Sequence, residues 1–329
     1  MEVNTRPDTI SNIASYYQVS SQKLQRHYKH EVSGYKQWDQ FSHAEEYLLY
    51  PENIGERLSI DEVSLSKGEL YTIVTNKEIK RKNKKSVVAI INGTEAKTIQ
   101  EVLEKIAVEK REKVKEVSMD MARNMSLASR NCFPNSTSVI DRFHVVRLVM
   151  DALQHLRVKL RWKAIEEENK AIQQAKEKGE KYYPEILSNG DTLKELLARS
   201  RYLLYKLEGE WTSNQRVRAY VLFEKYPPLK AVYHLTLSFR SLYNTVHKAD
   251  AIHHFNDWKR KAIEMKMEEF NTVVYSIEHH LDGILNFFDN RSTNAYAESF
   301  NSKIKGFRAN LRGVTDVKFF LFRLEKLFA

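Results

Sequence analysis

RLSIDEVSLSKGELYTIVTN, residues 57–76, alternates apolar and polar side chains in two runs separated by a glycine-bearing turn. A period of two marks strands that turn one face to a core. The first run, RLSIDEVSL, carries Asp61 and Glu62, which alternation sends to opposite faces. Beyond a charged hairpin tip at Lys77–Lys85, KSVVAIIN (85–92) predicts a third strand. Thr94 then opens a helix, TEAKTIQEVLEKIAVEK, with Ile99, Val102, Leu103 and Ile106 on one side. VKEVSMD (114–120) predicts a fourth strand, MARNMSLASRNCF a short helix and TSVIDRFH (137–144) a fifth strand. Antiparallel strands followed by strand–helix–strand units imply an α/β fold, a mixed five-stranded sheet with helices on its faces.

Outward from this core the pattern changes. From Val145 to about Asn290 almost every stretch reads as amphipathic helix, dense in Tyr, Phe, Lys and Arg. Residues 31–55 read as a connector with Trp38, Phe41 and Tyr47 to pack. TISNIASYYQVSSQKLQRHYKH (9–30) predicts two short helices around a turn at Gln18–Ser20, with Ser21 as cap. That size suits a helix-turn-helix presenting Gln22, Lys23, Gln25, Arg26 and His27 to a major groove. A plain helical hairpin reads the same residues equally simply. The final DVKFFLFRLEKLF (316–328) predicts a packed amphipathic helix.

Composition narrows the function classes. The 329 residues carry a net charge of +10, which favours polyanionic partners, nucleic acid first. The single cysteine, Cys132, excludes an internal disulfide and a Cys-type zinc site. No apolar run is long enough to span a bilayer and the N-terminus has no signal-peptide core, so a cytoplasmic protein is expected. There is no glycine-rich phosphate loop. The pairs His253–His254 and His279–His280 match no metal-site spacing, and the cluster Lys80, Arg81, Lys82, Lys84 and Lys85 is by default a solvated tip.

Two predicted strands end on acids, Asp61 and Asp120. Rigid strand ends are where open α/β sheets place chemistry. Two aspartates on neighbouring strands offer hard oxygens that select Mg²⁺ or Mn²⁺, and a third carboxylate would complete a two-metal site for phosphoryl transfer. Asp120 also reads as an N-cap for the helix that follows. The third acid is sought in RSTNAYAESFNSKIK (291–305). There Ala297, Phe300, Ile304 and Phe307 form an apolar stripe, with Ser292 or Thr293 as cap. Asn294, Glu298, Asn301 and Lys305 gather on a neighbouring side with Lys303 and Arg308 near, suited to a metal and a phosphate backbone. An ordinary surface helix would show the same polar side. Asp141 and His144, at the end of the fifth strand, either position DNA or a metal-bound water, or cap and pack the next helix.

LSIDEVSL, VSMDMA, VIDRFHVVRLV and NAYAESFNSKIK, in this order, resemble DDE transposases of bacterial insertion sequences, in particular their ISL-three group. The resemblance spans roughly residues 57–325. It implies a ribonuclease-H-like fold with Asp61, Asp120 and Glu298 as the catalytic and metal-binding acids, holding two Mg²⁺ or Mn²⁺ ions. The implied activity is strand cleavage and strand transfer on the double-stranded DNA of element ends and target, in a homo-oligomer. Its first gap is 59 residues and its second 178, so the helical block reads as an insertion. The expected organisation is a helix-turn-helix region with connector (1–55), a catalytic core (56–144), a helical insertion (145–290) and a closing core segment with the glutamate helix (291–329). Relatives often begin with a Cys-rich zinc element. Its absence here implies a shortened chain or a separate N-terminal zinc-binding polypeptide. The alternatives are a non-catalytic end-binding repressor and a structure-selective nuclease on the same fold.

Overall fold

The computed structural model describes residues 2–66, 68–78, 86–291, 295–311 and 314–328, so the basic hairpin tip and Asn294 lie outside the described residues. The chain divides into two units, residues 1–141 with 290–329, and residues 142–289.

The first unit is built on one mixed sheet. Its strands are β1 (Tyr47–Leu49), β2 (Arg57–Ser66), β3 (Glu69–Asn76), β4 (Val87–Asn92), β5 (Glu116–Met119) and β6 (Thr137–Ile140). They lie in the order β1-β4-β3-β2-β5-β6. β2, β3 and β4 form an antiparallel meander, while β5 runs parallel to β2 and β6 parallel to β5. The sheet thus has six strands where five were expected. The extra one is three residues of the presumed connector, added antiparallel to β4 with Leu48 opposite Ile90. Three residues are too few to show a period.

Alternation assigns the two faces. Val63, Tyr71, Ile73 and Ile90 share a core with Phe300, Ile304 and Phe307 of α14 (Ala295–Asn310) and Phe319, Phe320 and Phe322 of α15 (Val317–Phe328). The N-terminal helices α1 (Ile10–Tyr16) and α2 (Ser21–His27) join this side through Ile10 and Ile13 of α1 and the half-buried Leu24 of α2. Thr9 caps α1 and Ser20, not Ser21, caps α2, accepting from Lys23 N. Glu325 is a buried hub here: Trp38 Nε1 and Tyr50 OH each donate to its Oε2 at 2.7 Å. On the opposite face lie α3 (Ala96–Leu103), α4 (Val108–Arg111) and α5 (Arg123–Cys132). The single helix expected at 94–110 is broken, because the chain turns extended at Ala107 just after burying Ile106. The fifth strand ends at Ile140, and DRFH is not part of it.

The second unit is all-helical. α6 (Arg142–Glu177) is 36 residues long and buries Val145, Val149 and Leu153. α7 (Leu193–Arg199), α8 (Ser213–Lys225), α9 (Pro227–Leu242), α10 (Lys248–Glu264), α11 (Glu268–His279) and α12 (Leu281–Leu285) follow, and α13 (Phe287–Asn290) ends the run. Trp258 sits at its centre, donating to Leu235 O at 3.1 Å. Asp191, 2% exposed, receives Arg218 at 2.9 Å and Arg199. Among the described residues, no helix is long and apolar enough to cross a membrane.

Candidate active site

Asp61 lies in mid-β2, half-buried, on the face that carries Val63. The β2–β5 register pairs Arg57 with Glu116, Leu58 with Val117 and Ser59 with Ser118. The ladder ends at Ser59 and Ser118, and Asp61 and Asp120 share its offset of 59 residues two positions further on, at the same end of the parallel pair. The alternative reading of Asp120 as the cap of α5 does not hold. Ala122 is the cap residue, and Asp120 Oδ1 accepts from Ala122 N at 2.8 Å in a turn ahead of the helix.

The glutamate helix reaches the same face. Ala297, Phe300, Ile304 and Phe307 are all buried, so the apolar stripe seats α14 on the sheet. Two polar contacts fix its height. Asn301 Nδ2 donates to Asp61 Oδ2 at 2.6 Å, and Arg308 Nη1 donates to Ser64 O at 3.0 Å. Glu298 lies one turn before Asn301, exposed, in the first turn of α14. Among the described residues, no group of three His, Cys, Asp or Glu side chains stands close enough together to hold a metal. The structure therefore places Asp61 and Asp120 at the same end of a parallel pair and ties Asp61 to the helix of Glu298, without gathering all three carboxylates.

Asn301 is a correction. Expected on the solvent side with Glu298, it is 5% exposed and bonded to Asp61. Lys303 and Lys305 are exposed, and Arg308 is half-buried against β2. Gln22, Lys23 and Arg26 are exposed on α2. Asp141 is buried directly after β6, its N–H donating to Met119 O at 2.8 Å. His144 belongs to the other unit, half-buried near the start of α6.

Two groups gained weight from the structure. Glu62 faces α5. Burial raises its carboxyl above the usual range, the charges of Asp120 and Asp61 raise it further, and a hydrogen bond with Asn124 works the other way. The repulsion that Glu62 feels from these acids is of the kind a divalent cation relieves. The carboxylates of Asp61, Glu62 and Asp120 are hard oxygens, the chemistry that Mg²⁺ or Mn²⁺ takes. The second is Lys77, half-buried just after β3. It donates to Glu116 Oε1 at 3.1 Å and Ser118 Oγ at 2.9 Å, while Asn290 Nδ2 reaches Glu116 Oε2 at 3.4 Å. Burial pulls the Lys77 ammonium below its usual value and Glu116 opposes this. Lys77 was assigned to a hairpin tip because lysine in a charged run signals solvent; nothing local marks it as half-buried.

A transposase family model of the ISL3-type DDE group matches residues 58–324. A transposase for insertion sequence element IS1001 from Bordetella parapertussis is 24% identical over 277 residues, covering 83% of this chain. The chain spans 61% of the length of that curated relative. Among solved structures, a Drosophila P element transposase strand transfer complex is similar at 13% identity, with 84% of this chain and 77% of that chain covered and a TM-score of 0.39. The family match takes in both aspartates, the whole helical unit and the helix of Glu298, and the chain belongs to the ISL3-type DDE transposase family.

Proposed function

We propose that the chain is a metal-dependent DNA strand transferase: it cleaves at the ends of an insertion sequence and joins the freed 3′ ends to target DNA. The observation that carries this reading is the placement of Asp61 and Asp120 at the same end of adjacent parallel strands, inside the span matched by the family. Counted from β2, the strand order β4-β3-β2-β5-β6 with β3 reversed supports a ribonuclease-H-like core. Asp61, Asp120 and Glu298 hold the metal ions, and residues 142–289 are an insertion between the second and third acids.

Bound Mg²⁺ or Mn²⁺ supplies activation of the attacking oxygen and stabilisation of the leaving one. The chain's own residues do the rest. The two strands hold the aspartates at one end of the pair. α14 brings Glu298 in on a helix seated by its apolar stripe. Lys303 and Lys305, exposed on that helix, meet phosphates and position the duplex without reading its sequence. α1 and α2 act as a helix-turn-helix, with Gln22, Lys23 and Arg26 in the groove. No residue of α2 is fully buried, which leaves that helix free to enter DNA. Double-stranded element ends and target DNA are the substrates, and a homo-oligomer bridges two ends.

The test is strand cleavage and joining on labelled linear DNA bearing the element's own end, with Mg²⁺ or Mn²⁺. Wild type is expected to cut and join, and Asp61→Ala, Asp120→Ala and Glu298→Ala to bind without doing either. Wild type that binds but does not cut would move the chain to an end-binding repressor. Cutting without joining would make it a nuclease.

A further inference from the structure

We infer that Asn301 is a positioning residue: its side-chain amide holds the Asp61 carboxylate in the orientation that receives a divalent cation. The inference rests on the proposed function and adds a residue to it.

Three observations carry it. A carboxylate only accepts, so the group 2.6 Å from Asp61 Oδ2 must be the Asn301 NH₂. That assignment leaves Asn301 Oδ1 turned elsewhere, and this oxygen is buried without a hydrogen-bond partner among the described residues. Buried amide oxygens in folded proteins are nearly always satisfied. A bare acceptor beside a carboxylate is complementary to a cation or to a water held by one, both of which present positive charge to oxygen. Finally, Asn301 shares α14 with Glu298, three residues on, so one helix both carries an acid and aligns the acid opposite. Asp61 Oδ1 is meanwhile engaged by Glu62 N at 2.8 Å. With both oxygens held, the carboxylate plane is fixed before any ion arrives, the arrangement that makes outer partners of ligands matter for affinity.

A structural account competes: Asn301 could simply fill space under α14. Metal affinity separates the two. Mn²⁺ binding to the full chain is followed by loss of the free-ion EPR signal, with melting temperature measured with and without Mn²⁺. Asn301→Ala is expected to fold, by far-UV circular dichroism, and to bind Mn²⁺ about 10–100-fold more weakly. Asn301→Asp places a second negative charge against Asp61. It is expected to melt below wild type without metal and to gain more from Mn²⁺ than wild type does. Asn301→Ala binding Mn²⁺ within twofold of wild type overturns the inference and leaves the proposed function standing. If the alanine variant does not fold, a Mn²⁺-dependent gain in Asn301→Asp no larger than wild type's overturns it. Wild type showing no more Mn²⁺ binding than Asp61→Ala overturns both readings together.

Discussion

Asp61 and Asp120 each lie two residues beyond Ser59 and Ser118, the last paired residues of the parallel strands β2 and β5, and share that pair's offset of 59 residues. Placement at one end of neighbouring strands lets two carboxylates share one cation without distorting either strand. Loss of either should therefore be severe and similar. Asp61→Asn and Asp120→Asn are each expected to lower strand cleavage by about 10³-fold, the scale of losing one preorganised electrostatic group. The double variant should be no worse than the poorer single one, because residues acting as a unit are not additive. Single-turnover cleavage of end DNA measures this.

DNA binding should divide by type of contact. Lys303→Ala and Lys305→Ala are expected to weaken binding to any duplex and to reduce the slope of log affinity against log salt by about 1 each. Arg26→Ala or Gln22→Ala should instead narrow the gap between the element's end and unrelated DNA, by about 1–3 kcal/mol if it reads a base. Fluorescence anisotropy at several salt concentrations separates the two behaviours.

The helical unit carries its own acid-sensitive latch. Burial alone would raise the Asp191 carboxyl, but hydrogen bonds from Arg218 and Arg199 outweigh it and hold it below its ordinary value of 3.8. A depressed carboxylate contributes stability above its unfolded value and loses it as pH falls through the folded one. Asp191→Asn is expected to destabilise the unit by about 2–4 kcal/mol near neutrality, less than a fully buried pair because Arg199 reaches solvent. Melts of both proteins should converge as pH falls below 3.8.

Glu325 ties the connector to the last helix, and its loss strands two buried donors at once. Glu325→Ala leaves Trp38 Nε1 and Tyr50 OH without their shared acceptor. A cost of about 2–6 kcal/mol is expected at one to three per orphaned group. Denaturant unfolding followed by tryptophan fluorescence gives the number.

Cys132 should be silent in the native protein. It is fully buried, and burial pushes its thiol up to about 11. A thiol reagent at about pH 8 is expected to label it only after denaturation, since the thiolate is the reactive form.

Which of these features the sequence disclosed follows from the range of the forces involved. Alternation exposed β2 and β3, a continuous apolar run exposed β4, and the stripe Ala297, Phe300, Ile304, Phe307 exposed the seat of α14, because burial imprints a pattern on one segment at a time. Asn301 was misplaced although a signal existed. It lies four residues after Ala297 and three before Ile304, inside the stripe, although its side chain is polar. β1, the break between α3 and α4, and the partial burial of Lys77 had no local signal. Each is decided by partners far along the chain, such as Ile90 for Leu48 or Glu116 for Lys77.

The bond from Asn301 to Asp61 spans 240 residues of sequence. At about 5–20 residues per second of synthesis, roughly 12–48 seconds pass between the emergence of the acid-bearing strand and of the helix that aligns it. Throughout that interval Val63 and Ile73 lack the cover that Phe300 and Ile304 later give them. The nascent sheet thus presents a sticky, unfinished face to the ribosome's surroundings while the whole helical unit is made and folded. Chains released before about residue 300 carry the sheet without α14 and so keep Val63 and Ile73 uncovered.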